Sequence, residues 1–189
     1  CKATIDNVRD QSNCGSCWAF GTTEAFNDRG CIAGFMTSNW IASTADTTGC
    51  CDGLNCFSFG CNGGQVGTPW TWFTKTGVVS GDGYGSNRMD CYDYTMPMCN
   101  HHQPKSTLPE CDAVKQVAPT CPAKTDNLCP NDKALSYTND KKKAVSSYGF
   151  GKVNTVTNVK NDLHSYGSVT GAFTVYEDFL TYKSGVYQH

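Results

Sequence analysis

Thirteen cysteines in 189 residues constrain this chain more than any other feature. Cytosolic proteins keep thiols reduced and seldom carry so many, so the content points to an oxidising compartment such as the secretory route. The count is also odd, so if the others pair, one thiol is left over. Each bridge is worth about 2–4 kcal/mol in the usual loop-closure account, which matters where so much sequence is irregular. Residues 50–64, CCDGLNCFSFGCNGG, are too rich in cysteine and glycine for regular structure and read as a stapled loop. Residues 80–134 carry Cys91, Cys99, Cys111, Cys121 and Cys129 in one long irregular span, and such spans inside a domain are usually functional.

The candidate for the leftover thiol is Cys17, within QSNCGSCWAF at residues 11–20. Trp18 to Arg29 reads as a helix, with Trp18, Ala25 and Phe26 near helical spacing and Gly30-Cys31 as a stop. Cys17 then falls in the first turn, among backbone N–H groups that lack intrahelical acceptors. The positive end of the helix dipole favours an anion there, which suits a thiolate nucleophile. The rival for Cys14-x-x-Cys17, with Cys56, Cys61 and the adjacent His101 and His102, is a zinc site.

A net charge of −2 and a basic block no larger than Lys141-Lys142-Lys143, read as a solvated patch, argue against nucleic acid as a partner. No apolar run approaches the roughly 18 residues of a membrane span. There is no N-x-[ST] sequon. The chain opens on Cys1 with no signal peptide, so a processed product or fragment is expected.

A short helix is expected near 43–49 despite a threonine-rich composition that disfavours one. A further helix should open with Thr68 as cap and Pro69 in the first turn and end at Gly77, with Trp70 and Phe73 on its apolar face. Trp18, Trp70, Trp72 and Phe73 read as core, and Asp52, Asp82, Asp90 and Asp93 as solvated loop residues. From Tyr148 the alternation in VNTV and GAFTVYEDF signals strands, interrupted by a helix near Val159–Tyr166. A boundary near residue 148 therefore separates a helical, disulfide-laced half from a β half.

Five segments together resemble the cathepsin B-like cysteine peptidases of the papain fold: DQSNCGSCWAF, CCDGLNCFSFGCNGG, the Cys91–Cys111 loop with His101-His102, GAFTVYEDF and YKSGVYQH. The Cys14–Trp18 run also fits a local signature of papain-like proteases. The resemblance implies an α+β, two-lobe papain-like fold. Its left lobe would span 1–148, including an occluding loop at 91–111, and 149–189 would be an incomplete right lobe. It also implies the pairs Cys1–Cys31, Cys14–Cys61, Cys50–Cys121, Cys51–Cys56, Cys91–Cys129 and Cys99–Cys111, leaving Cys17 alone. Cys17 would be the nucleophile, and Gln11 an oxyanion-hole donor beside the Cys17 backbone N–H. Gly63 and Gly64 would pair with substrate backbone. His101 and His102 would hold a substrate's C-terminal carboxylate. Asp10 would pair with His101; a carboxylate neighbour favours the charged imidazole, so that contact should be intact in acid and loosen toward neutrality.

The implied activity is endopeptidase and peptidyl-dipeptidase hydrolysis through a cysteine acyl-enzyme, with no cofactor and no metal. The implied partners are peptide and protein substrates, a propeptide and cystatin-type inhibitors, and the chain would be a monomer. In the family, a histidine in Gly-His-Ala and an asparagine in Asn-Ser-Trp follow the YKSGVYQH segment, and neither occurs in these residues. The expectation is a protease truncated before both, inactive as it stands. His164, 147 residues after Cys17, is a weak substitute. The alternative reading is a non-catalytic, disulfide-stapled binding module or pseudoenzyme.

Overall fold

The computed structural model describes residues 1–101, 103–122, 126–151 and 153–189, and of Leu180 only the backbone. Six α-helices follow in order: α1 (Lys2–Ile5), α2 (Cys17–Ile32), α3 (Thr44–Cys50), α4 (Thr68–Lys75), α5 (Tyr137–Asp140) and α6 (Thr155–Tyr166). Two 3-10 turns lie at Cys111–Ala113 and Glu177–Thr181. Among the described residues β pairing is confined to isolated bridges, including Gly15 with Asn62, Ala42 with Ser80 and Val78 with Lys142. No helix among them is long and apolar enough to cross a membrane.

The fold is assembled on α2, about 24 Å long, against which α1, α3 and α4 all pack. A helix covered on several sides must bury residues around its circumference, and α2 buries Trp18, Ala19, Phe20, Thr22, Thr23, Ala25 and Phe26. It runs past the expected stop at Gly30-Cys31. A Cβ on Gly30 would lie 2.5 Å from the Met36 sulfur, so this glycine admits a packed side chain and does not end the helix. The reversal comes at Gly34, whose φ of +70° suits a glycine just beyond a helix.

Tertiary partners make α3 possible. Ser43 Oγ accepts the Asp46 N–H at 2.9 Å and donates to the Tyr92 carbonyl. Thr23 and Thr47 join α2 to α3 through their hydroxyls at 2.8 Å. The Asp46 carboxylate is fully buried and accepts from the Tyr137 hydroxyl and the Val79 N–H. Burial pushes its carboxyl above the usual range, against the pull of the Tyr137 bond. Helix α4 begins one residue before expectation, with Gly67 at the cap and Thr68 already helical. The Thr68 hydroxyl turns instead to the Cys56 carbonyl at 2.6 Å. Phe73 is wholly buried and stacks on Phe26 at 4.7 Å, with Trp70 edge-on to both.

Six disulfides are present: Cys1–Cys31, Cys14–Cys61, Cys50–Cys121, Cys51–Cys56, Cys91–Cys129 and Cys99–Cys111. Three of them hold the irregular 80–134 span, two by closing loops within it and Cys50–Cys121 by tying it to α3, and in this span Asp90 and Asp93 are buried rather than solvated. Arg88 holds Asp90 at 2.8 Å, while Asp93 accepts from the Asp82 N–H and the Asn131 amide. The lysine run is not a plain solvated loop either: Val78 and Lys142 exchange both backbone hydrogen bonds.

The C-terminal quarter departs most from the sequence reading. Residues 153–156 enter a turn and the start of α6, and 171–179 form extended coil leading into a 3-10 turn, where strands were expected. Phe173, Val175 and Tyr176 stay exposed. A strand exists only where a neighbour takes up its backbone groups, and residues 171–175 make no backbone hydrogen bond to another described residue. Polar contacts to the far end of α2 hold this quarter. Arg29 Nη1 meets Asp162 Oδ2 at 2.7 Å, and Ser168 donates to Asp28 at 2.6 Å.

Candidate active site

Cys17 is the free cysteine of the chain, exposed at the first position of α2. Ser16 occupies the cap position, but its side chain makes no cap hydrogen bond. Its buried hydroxyl pairs with the Tyr94 hydroxyl at 3.0 Å. The first-turn N–H groups beside the thiol are thus left without a side-chain cap, although that of Ala19 donates to the Ser16 carbonyl at 2.9 Å.

The turn preceding Cys17 is locked from two directions. The Cys14–Cys61 disulfide and the Gly15 N–H to Cys61 carbonyl bond, at 2.9 Å, tie it to the stapled loop. A Cβ on Gly15 would sit 2.4 Å from that carbonyl oxygen, so only glycine allows the approach. From the other side, Gln11 Nε2 donates to the Cys14 carbonyl at 2.7 Å, placing the side-chain amide on this turn with its second N–H still to spend.

Gly63 and Gly64 lie on the same loop. The Trp18 indole donates to the Gly60 carbonyl at 3.0 Å, which fixes the loop against the start of α2. Gly64 rests on that indole: a Cβ would fall 2.6 Å from Trp18 Cδ2. Gly63 adopts φ of +98° with open space where a side chain would be. Gly64 is exposed, and its N–H and C=O make no hydrogen bond to the described residues. Cys17 therefore lies beside a loop of accessible backbone braced by an aromatic ring.

Asp10 and His101 meet: Nε2 of His101 stands 2.9 Å from Asp10 Oδ1, which also accepts the Ser12 N–H at 2.6 Å. A second contact runs from the Asn13 amide to the Val114 carbonyl at 3.3 Å. Together they seat the 91–114 segment against the lead-in to Cys17. His102 lies outside the described residues. The zinc arrangement around Cys14, Cys17, Cys56 and Cys61 does not form, because Cys14, Cys56 and Cys61 are tied up in disulfides.

Tyr94 went unnoticed in the sequence. Its hydroxyl touches Ser16 and donates to the Gln11 carbonyl at 2.9 Å, and its ring is edge-on to Phe20 at 4.9 Å. Burial pushes this phenol up to about 12, so it remains a donor throughout the ordinary pH range. No local pattern could have revealed it, since the Ser16 partner is 78 residues away.

His164 is remote from the thiol. Two residues before it, Asp162 is bound to Arg29, which lies twelve residues and about 18 Å along α2 from Cys17. Arg29 and the neighbouring Tyr148 hold the Asp162 carboxyl below the usual range, outweighing the opposing effect of its burial. His189 stacks on Tyr176 at 3.7 Å and faces Asp178.

The profile of the papain family of cysteine proteases matches residues 1–189. Cathepsin B-like cysteine proteinase 4 of Caenorhabditis elegans is 38% identical over 186 residues, 98% of this chain and 53% of that protein. A cathepsin B-like cysteine proteinase of Schistosoma japonicum is 39% identical over 189 residues, 100% of this chain and 52% of that protein. The chain thus spans about half the length of these curated relatives. Among solved structures, procathepsin B S9 from Trypanosoma congolense superposes with a TM-score of 0.64 at 27% identity, covering 98% of this chain and 51% of that one. A Haemonchus galactose-containing glycoprotein complex does so with a TM-score of 0.56 at 26% identity, covering 100% and 74%.

Proposed function

The chain belongs to the papain family of cysteine proteases, and we propose that it carries the nucleophile half of a cathepsin B-like peptidase that cleaves within chains and also removes C-terminal dipeptides. The single observation carrying this reading is one unpaired, exposed sulfur at the start of the central helix, beside a loop of accessible backbone. Cys17 attacks the scissile carbonyl. The Cys17 backbone N–H and the Gln11 amide receive the developing oxyanion, and the Gln11 bond to the Cys14 carbonyl keeps that amide from swinging away. Gly63 and Gly64 lay the substrate's backbone along the loop, where any larger residue at 64 would collide with Trp18.

His101, held by Asp10, and His102 bind the carboxylate of a substrate's last residue, which makes residues 91–111 an occluding loop and selects dipeptide release. Residues 1–148 act as the left lobe and 149–189 as part of the right. The reaction also needs a histidine to return a proton to the leaving amine. The 189 residues alone, with His164 docked far from Cys17, do not turn over peptides. The working protein is a monomer of the lysosome or extracellular space, restrained by a propeptide and cystatin-type inhibitors.

A peptidyl epoxide tests this reading. Labelling of Cys17 near pH 5–6, lost on Gly64→Val, supports a nucleophile served by a peptide-binding loop. Labelling indifferent to the peptide portion and to residue 64 would favour the non-catalytic stapled module.

A further inference from the structure

Cys99, His101 and Cys111 converge where the two ends of the 99–111 loop meet. Cys111 Sγ stands 3.5 Å from His101 Nδ1, Cys99 Sγ stands 3.7 Å from Nε2, and the three donor atoms fall within 4.8 Å of one another. While the two sulfurs are bonded to each other they ligate nothing. The sulfur-to-Nδ1 distance nevertheless equals the edge of a tetrahedral zinc site, roughly 3.5 Å for bonds of about 2.3 Å to sulfur and 2.0 Å to nitrogen. Nδ1 of the imidazole is already at ligand spacing from Cys111, and Cys99, which now faces Nε2, would have to part from Cys111 to about 3.8 Å and join the Nδ1 side. Behind the ring, Asp10 Oδ1 takes Nε2 at 2.9 Å and is itself braced by the Ser12 N–H. A carboxylate on the far ring nitrogen is the usual support for a metal-binding histidine and leaves Nδ1 as the ligand. The other such cluster among the described residues, Cys91, Cys129 and Asp140, is less suited: both its sulfurs are wholly buried, and Asp140 already accepts the Ser80 N–H. Cys111, by contrast, is half-buried and within reach of a small thiol.

We propose that reduction of the Cys99–Cys111 disulfide creates a zinc site of two thiolates and His101 Nδ1, with a fourth position open to water. Two molecules of a low-molecular-weight thiol each give up one electron and one proton and leave joined as their own disulfide. The protein gains two cysteine thiols, and the entering Zn²⁺ displaces their two protons. The loop base is then closed covalently when oxidised and through the metal when reduced, with Asp10 as the anchor in both states. None of this depends on the chain being a working protease.

The test uses the whole 189-residue chain with Cys17 carbamidomethylated beforehand. A monothiol is added until mass mapping shows Cys99 and Cys111 free, and Co²⁺ is titrated as the probe for zinc. The expected result is a saturable thiolate-to-cobalt charge-transfer absorption, seen only after reduction and lost in C99S/C111S. It should weaken by at least about tenfold in H101A and by roughly tenfold in D10N. No such absorption in the reduced chain, or one that persists in C99S/C111S or is unchanged in H101A, overturns the proposal.

Discussion

Ser12 offers the most quantitative test of the geometry ahead of Cys17. It sits between Gln11 and the Cys14 turn with φ of +58°, a left-handed conformation that costs a non-glycine residue about 1–2 kcal/mol. Its hydroxyl is buried without a hydrogen-bond partner among the described residues, a further cost of about 1–3 kcal/mol. The conformation is held by the Ser12 N–H to Asp10 and by the Cys14 N–H to the Ser12 carbonyl, both of which glycine retains. Ser12→Gly removes both penalties but makes the unfolded chain more flexible, which takes back about 0.5–1 kcal/mol. The net expectation is a stabilisation of about 1–4.5 kcal/mol. In a chain of this size each kcal/mol moves the melting temperature by about 2–4 °C. Ser12→Ala separates the causes: it relieves only the hydroxyl and keeps the backbone strain, so it should gain less. Thermal melts of the three proteins, disulfides intact and Cys17 blocked, read the result. A Ser12→Gly melting point at or below that of the parent, or equal gains for alanine and glycine, would refute the strain reasoning.

Tyr94→Phe leaves the buried Ser16 hydroxyl and the Gln11 carbonyl without their partner and should cost about 1–3 kcal/mol in thermal melts. Two carboxyls impose opposite pH dependences. Asp162 is held below its usual range, so its contribution to docking α6 is fully present above about pH 4 and is lost as pH falls through the lowered value. Hydrogen exchange of α6 should accelerate in acid, and Asp162→Asn should be fast at every pH. Asp46 is pushed up, so its contribution is present below about pH 4 and is lost as pH rises through the raised value. Asp46→Asn keeps an acceptor for Tyr137 and should flatten the decline in melting temperature toward neutrality.

What the sequence made legible was what local chemistry determines. Cysteine parity needs no neighbours in space, and the helix after Cys17 follows from its own apolar spacing, which is why α2 could be placed within a few residues. The run around Cys17 also carries enough family pattern to indicate the papain-like fold. The strands expected near 171–179 failed for a reason local pattern cannot register: alternation states a preference for pairing, and the partner must be present. Gly30 failed differently, since a glycine admitting Met36 and a glycine ending a helix look alike in one dimension. Asp90 and Asp93 seemed solvated because their partners, Arg88 and Asn131, sit in a span without periodicity. The Ser16–Tyr94–Gln11 contacts belong to the same class, joined only by folding.

The measurement closest to the central claim is the rate at which iodoacetamide modifies Cys17 as a function of pH, with the site mapped by mass spectrometry on the non-reduced chain. A single modified residue, Cys17, reacting at pH 6 faster than a small free thiol would support a nucleophile poised at the start of α2. A Cys17 found in a disulfide, or one that reacts only in alkali, would contradict it.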